Sequence, residues 1–169
     1  MQYINSQSKR NFKILNNETE VLSGVQPRWY SLGIEFKFED KLFQIKKNNF
    51  WGTSFECNSD GLTIAEMSLM WKKENIINFK EGVENEFQKY HLKNEKAKSW
   101  MSLDKIFTLI NKSNLPVLRI HFSYEKLWKE KIDIEFLSQE NYPLLMCAMF
   151  LIKQKQNSSN NFSDSMVMG

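Results

Sequence analysis

The eleven residues from Tyr142 to Ile152, YPLLMCAMFLI, carry nothing more polar than one phenol and one thiol. A helix over this stretch is apolar on every face, and in a globular chain such a helix has to be covered on all sides. At 1.5 Å rise per residue it reaches about 16 Å, roughly half the hydrocarbon thickness of a bilayer, so a membrane span is not expected. Gln139, Glu140 and Asn141 suit the first turn, Pro143 is tolerable within it, and Lys153 and Lys155 complement the C-terminal dipole. The expected helix covers about 138–156, and the rest of the chain has to enclose it.

Upstream, the periodicity is that of strands. Leu32, Ile34, Phe36 and Phe38 alternate with polar or small residues, Glu39-Asp40-Lys41 reads as a turn, and a second run begins at Leu42 and ends near Lys46. A strand over 51–57, a turn at Asn58-Ser59-Asp60-Gly61 and a return strand over 62–71 follow the same logic, with Gly61 free to adopt positive φ. The polar stretch 81–86 reads as a loop. The pattern then restarts: FECNSDGLTIAEM at 55–67 has a counterpart in FTLINKSNLPVLRI at 107–120, and INF at 77–79 in IEF at 134–136. FQIKK from Phe43 resembles YHLKN from Tyr90, so a duplicated antiparallel unit of about fifty residues is expected. A sheet that must cover an all-round apolar helix can curl around it and close, which also removes exposed edges.

These units, followed directly by PLLMCAMFLIKQ, resemble the Tubby C-terminal-like superfamily, which includes the phospholipid scramblases, the plant LURP-one-related proteins and many small bacterial proteins. The resemblance covers roughly residues 31–156. It implies a mainly β fold, a closed antiparallel β-barrel of about twelve strands around a buried C-terminal hydrophobic helix. The chain has no match to the cationic phosphoinositide-binding positions of Tubby itself and no cysteine-rich palmitoylation tract like that of the scramblases, so neither activity carries over. Residues 1–30 read as an N-terminal extension forming a short helix or an extra strand outside the barrel, and 157–169, rich in Ser and Asn, as a flexible tail.

The chain has the length of one domain, and with 23 Lys+Arg against 20 Asp+Glu it lacks the charge density of a dedicated nucleic-acid binder. Cys57 and Cys147 stand in apolar contexts without CxxC spacing, which suits packed thiols in a reducing, cytoplasmic compartment. The N-terminal stretch lacks the apolar run of a signal peptide. No nucleophile elbow, phosphate-binding loop or dinucleotide glycine pattern occurs. His91 and His121 lie in strand patterns without a Cys, Asp or second His at ligand spacing, and the chain reads as non-enzymatic, with no cofactor and no metal. Asp133, Glu135 and Glu140 lie where scramblase-like proteins place a calcium-binding segment, but Asp133 and Glu135 also fit the wet face of a strand.

One cluster combines cations with large aromatics at strand ends: Lys46 and Lys47 near Phe50 and Trp51, and Trp71 beside Lys72 and Lys73, with Lys126, Trp128, Lys129 and Lys131 in the second half. Such a combination suits an anionic lipid surface, although strand-end lysines also keep rims soluble. The expected function is therefore a binding or scaffold role associated with anionic lipid headgroups through Lys46, Lys47, Trp51, Trp71, Lys72 and Lys73. The alternative is an enzyme or small-molecule carrier with a pocket at a barrel mouth, disfavoured because Leu144, Leu145, Met149 and Ile152 would fill the bore.

Overall fold

A computed structural model describes residues 1–5, 11–26, 33–70, 74–81, 86–95, 104–125 and 129–166. The chain is mainly β, a meander of antiparallel strands followed by one helix. The strands are β1 (Gln2–Asn5), β2 (Asn11–Asn16), β3 (Thr19–Val25), β4 (Ile34–Phe38), β5 (Lys41–Lys47) and β6 (Ser54–Ser59). They continue as β7 (Leu62–Ser68), β8 (Asn75–Glu81), β9 (Glu86–Glu95), β10 (Lys105–Asn111), β11 (Pro116–Glu125) and β12 (Lys129–Phe136), before helix α1 (Tyr142–Met166). Each strand pairs with the next, and β1 is bonded to β2 on one side and β12 on the other, so the order of neighbours returns to its start.

Three of the tight turns lie at the same end of the strands and each holds two successive residues at positive φ: Asn17-Glu18, Glu39-Asp40 and Asp60-Gly61. This is the two-residue hairpin geometry whose twist matches that of the strands. Side chains then alternate. Phe12, Ile14, Phe43, Ile45, Phe55, Cys57, Leu109 and Ile120 are among those buried on the inner face, while charged residues hold the outer one.

The duplicated unit corresponds to β5–β8 and β9–β12, and β1–β4 is a third copy that the sequence reading missed. In three hairpins a buried phenylalanine is followed two residues later by a register shift: after Ile14 in β2, after Cys57 in β6 and after Leu109 in β10. The residues skipped on the partner strands are Val21, Ile64 and Val117, all β-branched and packed against the core. Cross-strand rows correspond too: Phe12–Gly24–Phe36, Phe55–Met67–Ile77 and Phe107–Ile120–Ile134. Bulges of this kind bend a strand and increase its twist, and three at equal spacing distribute the curvature around the sheet.

Residues of the supposed N-terminal extension are thus strands of the same sheet rather than an element packed outside it. Phe12, Ile14 and Leu22 alternate with polar neighbours too briefly to stand out, yet all three are buried. Several boundaries also differ: α1 begins at Tyr142 rather than near Ser138, and β7 ends at Ser68 rather than Trp71. The strand expected from Trp51 begins at Ser54, because residues 48–53 form a loop with Gly52 at positive φ, and α1 extends to Met166 instead of ending near Gln156. Nothing in NSSNNFSDSM, free of Gly and Pro, stops the helix.

From Leu144 through Ile152 every residue of α1 is buried. The covering residues come from well-separated strands: Phe150 meets Phe55 of β6 edge-on at 4.9 Å between ring centroids, and Tyr142 lies against both Phe38 of β4 and Phe136 of β12. The helix runs closest to β7 and β8. Small residues permit this approach, Cys57 and Ala65 on the wall and Cys147 and Ala148 on the helix, all fully buried. Burial pushes the Cys147 thiol well above its ordinary range, with the Cys57 sulfur beside it adding to the effect.

Candidate functional site

The loop between β5 and β6 presents the most exposed large apolar side chains among the described residues. Phe50 is 85% exposed and Trp51 81%, and their rings touch edge to face at 5.5 Å. Exposure here does not come from a slack loop. Asn49 accepts hydrogen bonds from the Thr53 and Ser54 amides and donates to the Thr53 hydroxyl, the Asn48 amide donates to the Ser54 carbonyl, and Leu69 donates to the Thr53 carbonyl. Gly52 turns the chain at φ 67° and donates to the Asn49 carbonyl. An Asn side chain closing the backbone across four residues fixes the aromatic pair outward.

Lys46 and Lys47 end the strand that leads into this loop. Lys47 pairs with no carboxylate among the described residues, whereas Lys46 reaches Glu56 at 3.2 Å. Glu56 is held below the usual carboxylate range, first by the Asn58 amide, against the opposing effect of burial, and then by Lys46. Lys46 and Lys47 close β5, and Trp51 follows in the β5–β6 loop with Phe50 against it. Trp71, Lys72, Lys73, Lys126 and Trp128 lie outside the described residues, as does the side chain of Lys129, and Lys131 pairs instead with Asp133 at 3.3 Å.

The other candidate groups are dispersed. Glu135 binds Arg119 at 3.2 Å and Glu140 accepts the Tyr142 hydroxyl at 2.8 Å, so these carboxylates do not converge with Asp133. No group of three or more potential metal ligands forms among the described residues. Each histidine does have an acidic neighbour far away in sequence: His91 Nδ1 lies 3.3 Å from Glu74, and His121 Nε2 lies 3.9 Å from Asp104. Both pairs are on the outer face of the sheet, next to Lys93 with Glu74 and Arg119 with Glu95 and Glu135. They read as parts of an ion-pair belt across β9–β12.

Two of the concavities among the described residues bear on function. One, of about 490 Å³, is a groove over Gly24 between Lys13, Lys37 and Leu42. The other, about 720 Å³, lies between the ends of β8–β12 and the first turn of α1. Leu118, Leu144, Val117 and Phe136 supply its apolar lining and Glu81, Gln88, Tyr90 and Asn141 its polar one. Asn141 caps the helix by accepting the Leu144 amide at 3.0 Å and donates its own amide to Glu81 at 3.3 Å. Burial, and then the hydrogen bond to Glu81, raise the Tyr90 phenol far above its ordinary value. The helix is buried against the sheet from Leu144 through Ile152, and this cavity stays open beside its first turn.

No helix among the described residues is long and apolar enough to cross a membrane. The chain matches no family model, no curated protein and no solved structure.

Proposed function

We propose that the chain is a non-enzymatic binding or scaffold protein, a closed β-barrel of the Tubby C-terminal-like kind around α1, that docks on anionic lipid headgroups through the β5–β6 loop. The observation that carries the docking reading is the pair Phe50 and Trp51, almost fully solvent-exposed on a loop that Asn49 holds in one shape, with Lys46 and Lys47 at the end of the strand that leads into it. Placing two such rings in water is unfavourable by about 1.5–3 kcal/mol for a side chain the size of Phe, and inserting them among lipid headgroups recovers part of this. Each lysine near an anionic surface adds about 1 kcal/mol, diminished by salt. The barrel reading is supported by the pairing of β1 with both β2 and β12 and by the burial of α1 on all sides.

The test is co-sedimentation with vesicles of phosphatidylserine mixed with phosphatidylcholine, and of phosphatidylcholine alone, at two salt concentrations. Binding is expected on the anionic vesicles only, weakened by salt. Trp51→Ala with Phe50→Ala should weaken it about tenfold or more without lowering the melting temperature, since exposed loop side chains contribute little to stability. Lys47→Gln should weaken it by about fivefold, the equivalent of one surface charge. Equal binding by parent and aromatic variant, or binding to neither vesicle, rejects the docking reading.

A further inference from the structure

The mouth cavity at the start of α1 has a charge pattern that the docking reading does not use. Strand alternation turns Phe79 and Tyr90 inward, so Glu81 and Gln88 face inward with them, while Lys80, which also lines the cavity, lies 5.0 Å over the Phe87 ring. Glu140, just before α1, lines the same cavity. Neither carboxylate has a cation partner among the described residues: Glu81 takes the Asn141 amide and the Tyr90 hydroxyl, and Glu140 the Tyr142 hydroxyl. Beneath them lie Leu118 and Leu144, both buried.

We infer that this mouth is a binding site for a small organic cation, an amine carried on a compact apolar or aromatic body. The body rests on Leu118, Leu144 and Phe136, and the ammonium takes the place left open between Glu81 and Glu140. A cavity of about 720 Å³ falls within the range occupied by small-molecule ligands, and barrel mouths are among their usual locations. Anions are disfavoured, because the mouth offers them two carboxylates against one lysine, Lys80, whose ammonium lies over the Phe87 ring. The positive end of α1 offsets part of that negative charge, so discrimination by charge is moderate in size. Asn141 already satisfies the Leu144 amide, and that helix end is therefore less available to an anion.

The test uses three probes of one shape and different charge, 2-phenylethylamine, 2-phenylethanol and 3-phenylpropionate, titrated into the full chain by calorimetry and by chemical-shift mapping. The amine should bind with a dissociation constant below about 10 mM, about fivefold or more tighter than the alcohol, as one partly screened ion pair would give, with the carboxylate weakest. Shifts should centre on Tyr90, Leu118 and Leu144. Glu81→Gln keeps an acceptor for Asn141 and Tyr90, and Glu140→Gln changes an exposed position; each should weaken the amine by threefold or more, about the effect of one screened charge, and leave the alcohol unchanged. If Glu81→Gln disturbs folding, Glu140→Gln decides alone. Failure of the amine to bind, equal affinity for all three probes, shifts centred elsewhere, or unchanged amine affinity in the folded variants overturns the inference. The lipid-docking loop is not touched by any of these changes, so the two proposals stand or fall separately.

Discussion

Replacing Gly24 by alanine should destabilise the protein, against the usual direction of that change. Where alanine fits, it stabilises by about 0.4–1 kcal/mol because the unfolded chain loses freedom. Gly24 lies in β3 between Phe12 and Phe36 in a cross-strand row, and it has no room. A Cβ there would collide with Phe12 Cζ, stand 2.8 Å from Phe12 Cε1 and 2.6 Å from the Glu35 carbonyl oxygen. The carbonyl belongs to the adjacent strand and cannot turn away, and Phe12 is buried, so the cost is that of overpacking a core, about 1–3 kcal/mol. For a chain of this length that lowers the melting temperature by roughly 2–4 °C per kcal/mol. Urea unfolding followed by circular dichroism measures it as a lower midpoint at unchanged slope. In a Phe12→Leu background the ring contacts disappear and the Glu35 contact remains, so the alanine should cost less there but more than zero. A Gly24→Ala variant as stable as the parent would show that Phe12 does not rest on β3.

Two further outcomes are expected. Met149 is 1% exposed, and Met149→Asp places an unpaired carboxylate inside the ring at a cost of several kcal/mol, comparable to the 5–15 kcal/mol of a whole domain; calorimetry should find no cooperative transition. Tyr142 is pushed up to about 12 by burial and by its hydrogen bond to Glu140, so its contribution is fully present below the ordinary phenol value near 10 and is lost as pH rises from there toward 12. Phenolate absorbance should show this late-ionising phenol, and Tyr142→Phe should remove it and lessen the loss of stability across that window.

The helix was legible because eleven apolar residues admit few surroundings, and the hairpin at Asp60-Gly61 because its turn chemistry is local. The third copy of the repeat was not. Its correspondence rests on Phe12, Ile14 and Val21 occupying the positions of Phe55, Cys57 and Ile64 around the same two-residue turn, with little residue identity beyond the phenylalanine to mark it. Of the candidate site, Lys46, Lys47 and Trp51 could be named from composition, but a strand pattern drawn through Trp51 concealed the loop. The useful signal was Asn49-Phe50-Trp51-Gly52, an Asx residue and a glycine bracketing two aromatics. The mouth could not be read at all, since Glu81, Tyr90 and Asn141 meet only when β8, β9 and α1 come together.

The threefold repeat also bears on closure of the proposed barrel. Phe36 of the first unit pairs with Phe43 at the start of the second, and Ile77 of the second with Tyr90 at the start of the third. The equivalent residue of the third unit is Ile134, whose amide donates to the Met1 carbonyl at 2.9 Å while the Met1 amino group donates back to the Ile134 carbonyl at 3.3 Å. Met1 therefore takes the position held by Phe43 and Tyr90 at the other two junctions, and like them it packs on the core. The β12–β1 junction follows the rule that joins the units elsewhere. Two residue pairs join β1 to β12 among the described residues, against eight between β11 and β12, so this is also the shortest strand pairing of the sheet. If the enclosure of α1 opens anywhere under mild destabilisation, hydrogen exchange should be fastest at this seam, at the amides of Tyr3 and Ile134, and slowest across β10 and β11. Uniform protection around the ring would mean that the seam is held by more than its backbone pairs.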